Sequence, residues 1–116
     1  MIHHPFGIFD NSAKEYQHIQ AEPLAAAMGA EILGVDLANV SAAEFQEIQH
    51  ALFRHKMIYF RDQDINHVEH EAFSAKFGEF GDDAYTDGVA DHSQVQPVLR
   101  EANDPVAIIF GSGWHT

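Results

Sequence analysis

The chain has 116 residues, 46% of them hydrophobic, enough for one small domain with an ordinary core and no reason to divide it in two. Eighteen acidic against six basic residues leave a formal net charge of −12, which repels polyanions over most of the surface and argues against nucleic acid as a partner. The lack of cysteine excludes disulfides, thiolate zinc sites and cysteine nucleophiles together, so any metal must be held by nitrogen and oxygen, with nine histidines available.

Residues 1–9 contain no basic segment followed by an apolar run, and no later window reaches the roughly 18 apolar residues that span a bilayer. A soluble, cytoplasmic protein without a membrane partner is expected. Residues 1–15, with Pro5, Gly7, Asp10, Asn11 and Ser12, show no period and read as a flexible arm, while residues 16–116 read as a portion of a single domain. His3 and His4 in that arm are given no role.

An extended segment over 16–24 and the alternation over 31–37, following Gly29, predict a hairpin-like start to a sheet. Ser41 and Glu44 have the spacing of a capping box and open a helix in which Phe45, Ile48 and Leu52 share the core face, while Glu44, Glu47 and Gln49 point to water. That helix is expected to end near His55, where His50 and His55 would favour the negative helix terminus. The apolar run 57–60 then suits a buried central strand leading into the polar turn Arg61-Asp-Gln63.

Asn66 and Glu69 repeat the capping spacing. Val68, Ala72 and Ala75 with Phe73 and Phe77 carry a second helix up to Gly78. His67 and His70, three apart beside Glu69 and Glu71, read as a solvated face. Residues 81–92 hold four aspartates and no period, and predict a loop in which His92 beside Asp91 lacks any visible nucleophile. Residues 95–100 and 106–110 are candidate strands on either side of Asn103-Asp-Pro105. Tyr59, Phe60, Phe73 and Phe77 are expected in the core.

A non-haem iron oxygenase needs two imidazoles and a carboxylate on one face of the metal. Alternate side chains of an extended segment project to the same side, so a His and an Asp two apart can grip one ion. His115 and Thr116 would be the first two letters of such a His-x-Asp, with the carboxylate expected at the next position. The chain is therefore expected to stop within that motif.

Four stretches, Gly29-Ala-Glu-Ile-Leu-Gly-Val-Asp36, Arg54-His-Lys-Met-Ile-Tyr-Phe-Arg-Asp-Gln63, Phe73-Ser-Ala-Lys-Phe-Gly-Glu-Phe80 and Trp114-His-Thr116, resemble in order and spacing the N-terminal landmarks of the taurine dioxygenase family. The resemblance implies an α+β chain forming the N-terminal part of a double-stranded β-helix (jelly-roll) fold, two helices flanking mixed strands, with its core incomplete. It also implies Fe(II), 2-oxoglutarate as cosubstrate, O2, and hydroxylation of a small organic substrate with release of succinate and CO2.

Carried over position by position, His115 matches the first iron-binding histidine, and Tyr85 matches a substrate-side tyrosine. The carboxylate ligand, the distal histidine and the arginine for the keto acid would lie beyond Thr116, so this polypeptide alone is expected to be inactive. Asp82 and Asp83 stand where taurine-hydroxylating members carry a histidine, and Gly111 where they carry an asparagine, which argues against taurine itself. The full-length protein could form a homo-oligomer. The alternative reading is a noncatalytic acidic α+β interaction or metal-binding module.

Overall fold

The computed structural model describes residues 2–4, 7–82, 88–99 and 101–103, with side chains from residue 9 onward. The chain forms two compact units, Met1–Glu79 and Phe80–Thr116. In the first unit, β1 (Ile2–His4) and β2 (Gly7–Phe9) pair antiparallel within the segment expected to be an arm.

A second sheet has the order β3 (Gln20–Pro23), β4 (Ala30–Leu33) and β5 (Ile58–Tyr59). β3 and β4 are antiparallel, as the sequence predicted, and their turn closes through the Leu24 N–H donating to Gly29 O at 2.8 Å. Gly29 sits there at φ +93°, a conformation that a Cβ disfavours. β4 and β5 are parallel, with Ala30 opposite Ile58. A parallel pair needs a crossover, which here passes through a 3₁₀ turn (Leu37–Asn39) and α1 (Ala42–His55).

α1 begins where its cap predicts: Ser41 Oγ accepts the Glu44 N–H at 3.1 Å, satisfying one of the four donors left free at a helix start. It ends at Lys56, which turns into the left-handed region at φ 68°. Its last carbonyl, His55 O, takes the Gly29 N–H at 2.8 Å, so the start of β4 caps the end of α1. α2 (His67–Ala75) carries the full reciprocal box, Asn66 Oδ1 accepting the Glu69 N–H and Glu69 Oε2 the Asn66 N–H, both at 2.9 Å.

The core gathers Ile19, Ala21, Ala30, Ile32, Leu37, Ile48, Ala51 and Phe73. Ile48 is fully buried, a contribution of roughly 1.5–3 kcal/mol. Phe60, Phe73, Phe77 and Phe45 form an edge-to-face series with centroids 5.7, 5.3 and 5.0 Å apart, joining the end of β5 to both helices.

Several details depart from the sequence reading. β5 is two residues long and half-buried, at the end of the strand order among the described residues rather than central, and Tyr59 keeps its hydroxyl on the polar Glu31 side chain. On α2, Val68 is 61% exposed. It lies five residues, about 140° around the helix, from Phe73, and the larger aromatic takes the inner face. Phe77, expected in the core, packs its ring on Phe73 and Phe45 at the margin and stays 39% exposed. Finally, Glu47 does not point to water, as described below.

In the second unit, the Val89 N–H donates to Val95 O at 2.8 Å and the Val95 N–H to His92 O at 3.0 Å. Asp91 turns at φ 65°. A Cβ on Gly88 would overlap the Ser93 carbonyl, so this tight turn requires glycine there. Residues 95–99 form no strand, with Val98 and Leu99 exposed, since the backbone groups of Val95 close the turn instead of joining a ladder. The candidate strand over 106–110 lies outside the described residues, as does Arg100.

Candidate functional site

At the C-terminal end of α1, Ile48, Ala51 and His55 occupy one buried face at i, i+3 and i+7. His55 is wholly buried and does not sit at the helix terminus as a solvated cation. Its Nδ1 lies 2.7 Å from Asn11 Oδ1. Asn11, 3% exposed, spends both amide hydrogens on backbone carbonyls, donating to Ala25 O at 2.6 Å and Gly29 O at 3.0 Å.

That arrangement fixes the tautomer. With both Asn11 donors engaged, its oxygen can only accept, so His55 Nδ1 carries the proton and Nε2 is the bare nitrogen. Nε2 is buried without a hydrogen-bond partner among the described residues. Burial, then the neighbouring Arg54 guanidinium, hold the imidazole below the usual histidine range.

A second polar centre lies one helical face away. The Glu47 carboxylate accepts the backbone N–H groups of Gln17 (3.0 Å), His18 (2.8 Å) and Ile19 (3.0 Å), and meets His18 Nδ1 at 3.1 Å. Burial raises its pKa, but the donors from His18, Gln17 and Ile19 outweigh that effect and bring it to about 2. The carboxylate thus anchors the strand entering β3 onto α1. Beside it, Tyr16 Oη and His50 Nδ1 are 2.8 Å apart.

The Arg61-Asp-Gln63 landmark serves the scaffold. Arg61 Nε pairs with Glu31 Oε1 at 3.2 Å and its guanidinium lies over the Tyr59 ring, while Tyr59 Oη donates to Glu31 Oε2 at 3.3 Å. Gln63 Oε1 accepts the Leu37 N–H at 2.9 Å, and its Nε2 donates to Val35 O and Arg61 O. One side chain therefore joins the exits of β4 and β5.

His115 and Tyr85 both lie outside the described residues, with Trp114, Thr116, Asp83 and Gly111. Asp82 is described and exposed. Among the described residues no group of three His, Asp or Glu side chains could hold a metal, and His67 and His70 are exposed on α2, the solvated face expected of them. No helix of the described residues is long and apolar enough to cross a membrane. A groove of about 660 Å³, open to solvent, runs past Tyr16 and Ile19 along β3.

Sequence reasoning missed Asn11, His55 and Glu47. Only His55 carried a local signal: it stands seven residues after Ile48, in register with the buried stripe.

Comparison with known proteins places these landmarks. Residues 20–116 match the model of the taurine catabolism dioxygenase TauD, TfdA family. An alpha-ketoglutarate-dependent sulfate ester dioxygenase of Pseudomonas putida is 41% identical over 63 residues, which are 53% of this chain and 21% of that protein. The crystal structure of a taurine dioxygenase from Burkholderia xenovorans superposes with a TM-score of 0.63 at 38% identity, over 72% of this chain and 32% of the other. The chain therefore spans about a third or less of the length of these relatives. With the family model matched over most of its residues, the chain belongs to the taurine catabolism dioxygenase TauD, TfdA family.

Proposed function

We propose that this chain is the N-terminal part of an Fe(II)- and 2-oxoglutarate-dependent dioxygenase in which His115 is the first protein ligand to the iron. The observation that carries this reading is the family match, which runs from residue 20 through the Trp114-His-Thr116 landmark. The described residues contain no metal-holding group of their own. Without cysteine, the nine histidines and eighteen acidic residues offer the nitrogen and oxygen donors that a non-haem iron centre uses. His115 would hold the metal as a neutral imidazole, joined by a carboxylate and a second imidazole from positions that follow Thr116 in the family pattern.

Iron with bound 2-oxoglutarate supplies the oxidising chemistry; O2 is consumed, a small organic substrate is hydroxylated, and succinate and CO2 leave. In this reading the two helices and the β3–β4–β5 sheet flank a jelly-roll core that the rest of the protein completes, in the cytoplasm. In the same reading Tyr85 would contact the substrate. Asp82, Asp83 and Gly111 depart from the taurine pattern, and the Pseudomonas putida relative is named for a sulfate ester; both favour a small organic substrate other than taurine.

The test is succinate formation from 2-oxoglutarate by the complete gene product, with and without Fe(II), in the presence of taurine, a short alkyl sulfate ester or neither. Iron-dependent succinate with less stimulation by taurine than by the ester supports the reading. No succinate under any condition, or turnover indifferent to chelation, contradicts it.

A further inference from the structure

We propose that the Asn11–His55 pair is an acid-sensitive latch, holding the N-terminal segment and the 24–29 turn against the end of α1 while His55 is neutral and releasing them when Nε2 takes up a proton.

The latch joins three pieces of chain through one amide. Asn11 accepts from His55 on α1 and donates to Ala25 O and Gly29 O in the turn, while Gly29 N–H returns to His55 O. All of these groups sit at a buried junction, with Asn11 at 3% and His55 at 0% exposure. In the neutral tautomer the only unused polar atom is Nε2, a lone pair. A bare lone pair in an apolar setting is tolerable. A second N–H bearing positive charge is not, because no acceptor among the described residues faces it.

Protonation would strengthen the Nδ1–H bond to Asn11 by about twofold at best. An uncompensated buried cation costs several times more, so the imidazolium must reach water. The surrounding charges do not relieve it. On α1, Arg54 adds positive potential. From the N-terminal segment, the Asp10 carboxylate is already taken by the Ser12 N–H and hydroxyl, and Lys14 lies against His50. The 24–29 turn and Met57 carry no ionisable side chain, and Glu31 on β4 is engaged by Arg61 and Tyr59. The easiest route to water is for the segment covering the imidazole to lift away.

The experiment follows two observables in the complete gene product as pH falls from about 7.5 to about 5. The first is the protonation and tautomer of His55, read by nitrogen-15 NMR. The second is hydrogen-exchange protection of the Leu24 and Gly29 amides, corrected for intrinsic exchange. The latch predicts a proton on Nδ1 alone at the upper pH, then a protection loss of at least about tenfold that tracks His55 protonation while the α2 amides keep theirs. His55→Gln retains a donor for Asn11 Oδ1 and cannot titrate, so its protection should not change over this range.

Unchanged protection through the His55 titration overturns the proposal, as does an equal acid loss in His55→Gln or a loss that includes α2. Should His55→Gln not fold, the wild-type curves decide: coincident midpoints support the latch, and midpoints more than about one pH unit apart overturn it.

Discussion

Glu47 Oε2 lies 2.8 Å from the backbone nitrogen of His18, a contact between residues 29 apart in sequence, and the same carboxylate also holds Gln17 and Ile19. A single α1 side chain thus replaces a stretch of sheet hydrogen bonding for the chain that enters β3.

Its pKa of about 2, against an ordinary 4.5, makes this clamp a source of acid-dependent stability. The folded state binds fewer protons than the unfolded one between these values, so the contribution is present above the unfolded pKa and is lost as pH falls toward about 2. Glu47→Gln should lower the melting temperature at neutral pH and flatten the melting-temperature profile between those two values. An unchanged profile would show that the carboxylate does not anchor the strand.

His55 acts in a separate window. Its pKa is lowered by burial, so the folded state holds fewer protons than the unfolded one below the ordinary value of 6.5. Stability should be full above that value and decline as pH falls below it, and His55→Gln should remove this component while leaving the Glu47 one. Melting curves of the two variants across pH separate the effects.

The helix caps give smaller, pH-independent terms. Asn66→Ala removes the side-chain half of a complete capping box and Ser41→Ala the partner of Glu44 N–H. Each should cost about 1 kcal/mol in chemical denaturation.

Two glycines with positive φ distinguish strain from crowding. A Cβ at Gly29 would stand 3.0 Å from Met57 Cε and 3.3 Å from Leu24 Cβ, whereas one at Gly34 would meet nothing within 4 Å. Gly34→Ala should cost about 1–2 kcal/mol from the backbone alone, and Gly29→Ala more. Equal losses on denaturation would mean that the turn accommodates the methyl group. Phe53→Ala, at a 65% exposed position, should stay within about 0.5 kcal/mol and serves as the control.

Much of the scaffold was legible because its signals are local. Ser41 and Asn66 mark both helix starts, and Gly29 marks the turn into β4. The polar junctions were not. Periodicity placed Glu47 on the wet side of α1 and could not see a strand arriving 28 residues upstream to use its carboxylate. It likewise read His55 as a terminal charge, since the partner that neutralises its burial, Asn11, is 44 residues away. Val68 was misjudged because two overlapping helical stripes were available and only tertiary packing chooses between them. His115 and Tyr85 were reached through motif resemblance, and they lie outside the described residues.

The most direct test of the proposed iron site compares the complete gene product with its His115→Ala variant, assaying Fe(II)-dependent succinate formation from 2-oxoglutarate alongside bound iron. Loss of a metal ligand predicts a fall of about a hundredfold or more in iron-dependent succinate, together with weakened iron binding and an unchanged melting temperature of the iron-free protein. A variant that retains both iron and turnover would contradict the assignment of His115 as a ligand.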